Sequence, residues 1–439
     1  MRDYLLFGVV FILLWRTFQS PMIGVLTFTW LSLMNPHRLT YGAAYDFPFA
    51  AIVVVVTLIA LVFSKDKWRL SMTPVTVTLI LFMVWMTATS FVALEPDLVW
   101  TEWNRVMKTL FMTLITIIVI KSKKDIIALA WVVGLSVAFY GLKGGIFTLV
   151  SGGNYHVYGP DGSYIADNNA LALAFIAILP IVRFLQLQAT KGWMRLGMGG
   201  VAILTAISAA GSYSRGALVA AAAMFFFLWI KSKQKFKTGI ALVLVATIVF
   251  MVMPGEWFAR MQTIDDYKTD DSSLGRINAW YFALNVAKQN FMGGGFSIFT
   301  PKMFFIYAPD PRNHHAAHSI YFQVLGEHGY IGLIFFILLL IFSWRTGTRI
   351  LAFCKGKEGL KWASDLAAMC QVSMVGFAVG GGFLALAYYD LYYFVVALLV
   401  GLEKLLLLPT RQEAKNKGLP IVATDIGRNG EVLADEKNV

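Results

Sequence analysis

Few residues in this chain can do chemistry, and they fall in a handful of places. Four of the six histidines lie between residues 312 and 329, in RNHHAAHSIYFQVLGEHG, at the edge of an apolar run. His314 and His318 stand four apart, the spacing that puts two rings on one helix face. A metal pair is therefore one reading, but no HExxH pattern and no acidic ligand set accompanies it. A structural role is the ordinary reading for His314, His315 and His328. His318 differs, because it begins the helix that enters the apolar run. A neutral imidazole at that border can take a proton near physiological pH, which makes His318 the candidate general base.

The second set is cationic. Arg215 sits in GSYSRGALV between two apolar runs, Arg276 in SSLGRINAW, and Lys143 in GLKGG toward one end of its helix. Arg105 and Lys108 start another run, where snorkelling to an interface explains them. The planar guanidinium fork matches phosphate oxygens two at a time. Arg215 is flanked by Ser214 and Gly216, whose small side chains would leave room for a ligand. Ser214, His315 and Lys143 join the arginines as substrate-binding candidates. Together the residues describe two arginines holding a diphosphate leaving group while His318 deprotonates an incoming hydroxyl. Neither a divalent metal nor a cofactor is needed for that. General-base help is worth about 10²–10⁴ in rate, and electrostatic stabilisation of the leaving group at least as much.

The elements that must position these groups are membrane helices. The chain has 439 residues, 58% hydrophobic and only 14% charged, against roughly 25% charged in soluble domains. Apolar runs fall at residues 47–63, 73–93, 106–120, 126–150, 168–187, 196–213, 217–230, 238–253, 319–344, 363–386 and 391–408. Most approach the ~20 residues of a membrane span, and no alternating β-barrel pattern appears. Residues 1–35 hold two short apolar pieces around Pro21, either one broken crossing or two. The net charge of +12 sits in short clusters between runs, which argues against a nucleic-acid partner. Cys354 and Cys370 show neither metal spacing nor disulfide logic. No removable signal peptide is expected.

The basic clusters at 65–69, 121–125, 191–195, 231–237 and 345–361 read as cytoplasmic loops. Segments 94–105, 151–167, 212–216 and 254–317 then face outward, as does the YYD turn. An N-terminus inside requires residues 1–46 to cross once, for about 12 crossings in all. Residues 254–317 are too long for a connector and read as a folded helical subdomain. DDSSLGRINAWYFALNVAKQN is a helix with Ser272 or Ser273 as its cap, broken by the glycines of MGGGF. The expected organisation is N-terminal membrane helices over 1–253, the outer subdomain over 254–317, C-terminal membrane helices over 318–408, and a disordered cytoplasmic tail over 409–439. The fold class is an all-α polytopic membrane protein.

Four stretches, in order, resemble the O-antigen ligase and Wzy-like polymerase superfamily: SYSRGALVA (212–220), LGRINAW (274–280), GGGFSIF (293–299) and HSIYFQVLGEHGYIG (318–332). In that pattern a Ser-Arg-Gly follows a membrane helix, and an arginine lies in the large periplasmic loop ahead of a glycine-rich turn. A histidine then opens the next helix, with Glu-x-Gly downstream, here Glu327, His328 and Gly329. YGPDGSYIADNNALAL (158–173) is similar to the family's outer loop, with Asn168 and Asn169 opening a helix. The resemblance spans about residues 140–345. The N-terminal 120 residues are more similar to a subgroup of O-glycosylation ligases than to the enterobacterial enzymes.

The resemblance implies a GT-C-like glycosyltransferase in the bacterial inner membrane, with its active site facing the periplasm. It implies a glycan donor on undecaprenyl diphosphate, a lipid A–core acceptor and a metal-independent, inverting transfer. Arg215 and Arg276 become the diphosphate-binding arginines and His318 the general base; Lys143 is not part of the family pattern. A polymerase that uses a second lipid-linked glycan, or a protein O-glycosylation ligase, would share these motifs. A transporter or lipid flippase would suit intramembrane charge, but no internal repeat is evident.

Overall fold

A computed structural model describes residues 1–65, 68–262 and 271–408, with the side chains of 271 and 272 left aside. The expected disordered tail, residues 409–439, lies outside the described residues. Within them the chain forms helices and no strand. In order these are α1 (Arg2–Thr17), α2 (Pro21–Met34), α3 (Phe49–Phe63), α4 (Pro74–Phe91), α5 (Pro96–Val119), α6 (Lys123–Val150), α7 (Asn168–Gln188) and α8 (Gly192–Ala210). There follow α9 (Arg215–Lys231), α10 (Lys235–Val252), α11 (Gly255–Gln262), α12 (Asp271–Gln289), α13 (Pro301–Tyr307), α14 (Ile320–Cys354), α15 (Lys361–Gly381) and α16 (Asp390–Leu406).

Each apolar run of the sequence falls on one helix. Among the described residues seven helices are long and apolar enough to cross a membrane by length and composition: α4, α6, α7, α8, α10, α14, and α15 with the short turn before it. That is fewer than the roughly 12 expected: α2 and α3 are apolar but short, and α5, α9 and α16 are not among the seven either. The protein is a multi-pass helical membrane protein.

The N-terminus departs from the expectation of a single crossing over residues 1–46. α1 and α2 form two helices of 16 and 14 residues. The Asp3 carboxylate accepts from the N–H groups of Gly42 and Ala44, both at 3.1 Å, so the first residues stand at the same end as the loop after α2. At 1.5 Å per residue these helices are about 24 and 21 Å long, short of the ~30 Å hydrocarbon core. Pro21 at the first position of α2 makes the turn between them.

The two ends of the bundle sort by charge. Lys121 lies 3.4 Å from the ring centroid of Trp68, and Lys123 lies 4.9 Å from that of Trp362, which gathers three basic loops at one end. At the other end Tyr164 donates to Glu102 at 2.7 Å, Leu94 N–H to the Gly294 carbonyl at 2.9 Å, and Asn168 to the Ser212 carbonyl at 2.7 Å. The loops expected on opposite sides therefore do separate into two groups.

α7 is the central post. It packs against α6, α8, α9 and α15, and 83% of its apolar stretch is buried. α15 approaches it through glycine: a Cβ on Gly380 would lie 2.5 Å from Leu173 of α7 and 2.8 Å from Ala220 of α9. In α12 the last turns pack with α13 around Phe282, Phe304, Ile298 and Met303, a small core separate from the bundle.

Candidate active site

The site is assembled from loop–helix junctions at the end opposite the basic loops. α12 opens at Asp271, so Ser273 lies within its first turn and does not cap it; the side chain of Ser272 is outside the described residues. Further along, Arg276 and Trp280 are four residues apart and share a helix face. Trp280 donates its indole N–H to the Ala317 carbonyl at 3.0 Å and stacks on Phe322, with centroids 5.0 Å apart. Asn278 donates to the carbonyls of Asp310 and Asn313, both at 2.8 Å, and accepts from Asp310 N–H at 3.0 Å. The segment before His318 is thus stapled along α12, and the grip on Ala317 sets the next residue close to Arg276.

His318 has φ 44°, a left-handed backbone that non-glycine residues seldom adopt. That turn ends the 310–317 segment and lets Ser319 begin α14. Such a conformation is kept only where neighbours over-determine it, and here Trp280 and Asn278 do so. The His318 ring is partly buried. Burial holds it below the ordinary imidazole range; the Arg276 guanidinium and His315 push the same way, and the Asp167 carboxylate opposes them. The ring thus favours its neutral form, with the Arg276 cation and the Asp167 carboxylate acting on it in opposite directions. The His315 and His318 rings lie 6.4 Å apart, and His315 rests against Gly275, where a Cβ would meet its ring at 2.4 Å. His314 is exposed.

Asp167 is the residue that reading the sequence missed. It caps α7, accepting from Asn169 N–H at 2.9 Å and Ala170 N–H at 3.2 Å. An Asp directly before a helical run is an N-cap signal, but its nearness to His318 depends on contacts more than a hundred residues apart. The next residue, Asn168, bonds the Ser212 carbonyl, which ties the start of α7 to the turn that carries Arg215.

Arg215 is the first residue of α9. Tyr213 before it has φ 58°, donates to the Gly153 carbonyl at 2.7 Å and accepts on its own carbonyl from Arg260 at 3.2 Å. Ser214 and Gly216 were expected to leave room for a ligand. Instead Ser214 is buried as the helix cap, its hydroxyl accepting from Ala217 N–H at 3.2 Å. Gly216 lets Phe383 approach, with 3.0 Å to a Cβ built there. Their smallness serves packing. Lys143 is exposed on α6, and no described contact links it to this cluster.

The glycine-rich turn closes the arrangement. Gly294 N–H donates to the Gly326 carbonyl at 2.9 Å and Gly295 N–H to the Glu327 carbonyl at 2.8 Å. These bonds satisfy carbonyls at a helix end that would otherwise lack partners. They are needed because α14 is kinked: Gly329 has φ 65° and ψ −169° inside it. A Cβ on Gly293 would lie 2.5 Å from Gly329 N, so only glycine permits the crossing. Glu327 is fully enclosed, accepting from Tyr388 at 2.6 Å and Ser297 N–H at 3.2 Å. His328 pairs with Thr89 at 2.7 Å and its carbonyl accepts from Trp85 at 2.8 Å. Among the described residues no three His, Cys, Asp or Glu side chains group as a metal site.

Residues 200–337 match the family described as O-antigen ligase, and every stretch just placed around Arg215, Arg276, the glycine turn and His318 falls inside that match. This stretch is similar to the O-antigen ligase and Wzy-like family. Residues 1–190 match a different family, one of unknown function, DUF5935. No curated protein matches the chain. The ligase match therefore covers the Arg–His cluster, while Lys143, Asp167 and Asn168 come from the N-terminal match. The match over residues 200–337 supports a ligase- or polymerase-type, glycosyltransferase-like function in general.

Proposed function

We propose that this protein is an O-antigen ligase of the bacterial inner membrane, with its site on the periplasmic face, the end opposite the basic loops. The donor is a glycan on undecaprenyl diphosphate and the acceptor a hydroxyl of lipid A–core. The acceptor oxygen attacks the anomeric carbon from the face opposite the diphosphate. The new C–O bond forms as the bond to the diphosphate breaks, the configuration inverts, and the acceptor proton passes to His318. Undecaprenyl diphosphate leaves with the bond's electron pair, its charge met by Arg276 and Arg215. No metal takes part. Counting α1 and α2 as a hairpin, residues 254–317 form the periplasmic subdomain between membrane helices 1–253 and 318–408.

The observation that carries this reading is the turn at His318, with its left-handed backbone, stapled to α12, the helix of Arg276, through the Trp280 and Asn278 bonds to the segment just before it. The ring is kept neutral by burial and by the Arg276 guanidinium, so it is a base at working pH. Once it accepts a proton, Asp167 supports the imidazolium. Protein purified with lipid-linked glycan and lipid A–core should yield a ligated product. His318→Ala and Arg276→Ala should each lower the rate by about 10²-fold or more, with unchanged membrane insertion. Ligation by His318→Ala at the wild-type rate would refute the role of the base. Growth of the lipid-linked chain alone would make the protein a polymerase, and transfer to protein alone an O-glycosylation ligase.

A further inference from the structure

Outside the Arg–His cluster, the same end of the molecule holds a cleft of about 600 Å³. One wall is the loop after α2, with Arg38, Tyr41, Tyr45 and Asp46; the other is the tip of the loop before α7, with Pro160 and Asp161. We propose that this cleft binds the saccharide part of a substrate. The proposal rests on the glycan-transfer reading above and gives a role to a region whose matched family has none.

The walls are built and held. Asp3 clamps the loop after α2 through Gly42 and Ala44. The Arg38 guanidinium lies over the Tyr45 ring, 4.6 Å from its centroid, and pairs with Asp46 at 2.9 Å. Gly162, with φ +70°, brings the opposite wall against Arg38, 3.2 Å from a Cβ built there. That wall is closed on itself by the bond from Gly159 N–H to the Ala166 carbonyl at 3.1 Å. The next residue is Asp167, beside His318. A single tight loop thus carries a wall of the cleft at its tip and a charge of the catalytic cluster at its end. Asp161 and Asp167 are six positions apart, a span of at most about 22 Å.

The chemistry of the lining selects the ligand. Carboxylates on both walls disfavour an anion, and the guanidinium that would attract one is already paired with Asp46. Asp46 and Asp161 supply acceptors for hydroxyls, and Arg38 supplies donors. The Tyr41 ring stands 89% exposed over this polar floor, an apolar face that the C–H face of a sugar ring covers while its hydroxyls reach the carboxylates. A volume of this size is that of a small-molecule site. A short oligosaccharide satisfies all of these features. Its source is either the donor glycan or the acceptor core.

The test uses the full-length protein in nanodiscs and two probes. One is oligosaccharide released from the producing cell's lipid-linked glycan; the other is core oligosaccharide released from its lipopolysaccharide. Binding is read by calorimetry or saturation-transfer NMR. One probe should bind wild type and His318→Ala alike, and the one that binds identifies the source. Tyr41→Ala and Asp161→Asn, both on exposed side chains, should each weaken it about tenfold at unchanged Tm. If either variant proves unstable, the other decides. No binding of either probe, or wild-type affinity in the stable variants, overturns the proposal. Because His318→Ala is expected to bind without transferring, failure of the catalytic reading would leave the binding result standing, and the converse holds.

Discussion

α7 and α10 look alike as sequence. Each is an apolar helix of membrane length, NNALALAFIAILPIVRFLQLQ in one case and KFKTGIALVLVATIVFMV in the other. In the fold they are opposites: most of α7 is buried by protein, and α10 buries no residue at all. In water an apolar face must be covered, but lipid covers it as well as protein does, so hydropathy reports membrane residence and not partnership. What separates the two is who comes close. α7 receives Gly376 and Gly380 of α15, and Ser373 donates to its Ala177 carbonyl at 2.6 Å. Small residues and polar bonds of this kind are what hold helices together inside a bilayer. The candidate site follows the same division, since the start of α7 carries Asp167, whose charge acts on His318, and bonds the turn before Arg215, while α10 supplies none of its residues.

The largest effect should come from breaking the contact between α7, α9 and α15. Gly380→Leu would place a Cβ 2.8 Å from the Ala220 Cβ, a rigid neighbour, and 2.5 Å from Leu173. Overpacking of this kind costs about 1–3 kcal/mol or more. A lowered Tm and lost transfer are expected from the purified variant. A Tm equal to wild type would show that α7 is not the post the fold makes it.

A smaller effect tests the start of α7. Asp167→Asn keeps a good cap, so Tm should hold. The charge is lost, however, and with it the one influence that raises the His318 pKa. A group with a lower pKa stays deprotonated further into acid, so the acid limb of the rate–pH profile should move to lower pH. The plateau should fall, because a weaker base takes the proton less readily. Asp167→Ala should show the same shift and in addition lose about 1 kcal/mol of stability with the cap. Superimposable profiles for wild type and Asp167→Asn would remove Asp167 from the mechanism.

These two variants also mark what could be read beforehand. Eleven helices, α3 to α10 and α14 to α16, were legible because each lies in one apolar run, and Arg276 and His318 stood out as candidates through local sequence patterns. The sidedness of the loops followed from Lys and Arg placement. What was not legible depends on long-range contact. Asp167 acts on His318, 151 positions further along the chain, which only the folded arrangement brings within reach of its charge. Glu327, a carboxylate in a greasy helix, is explained by Tyr388, 61 residues away. The hairpin of α1 and α2 is fixed by Asp3 reaching the loop at Gly42, which no charge rule anticipates. Lys143 shows the complementary case: its position along the helix was readable, but its direction around the helix, toward an exposed face, was not.

The smallest effect lies on α10 and turns the comparison into a matched pair of glycines. Gly239 stands in the first turns of α10, where the nearest atom to an added Cβ is Trp229 Nε1 at 3.6 Å, an ordinary contact. Gly239→Ala therefore meets no wall. It removes the backbone freedom of glycine in a helix, which is worth roughly 0.5–1 kcal/mol. The expected result is an unchanged or slightly raised Tm and a wild-type transfer rate, measured in the same nanodisc preparation as Gly380→Leu. Adding a Cβ to glycine should thus be harmless where it meets only an ordinary contact with Trp229 and damaging where it meets Leu173 of α7 and Ala220 of α9. A loss of transfer in Gly239→Ala would mean that α10 contributes to the site by a route its exposed position does not provide.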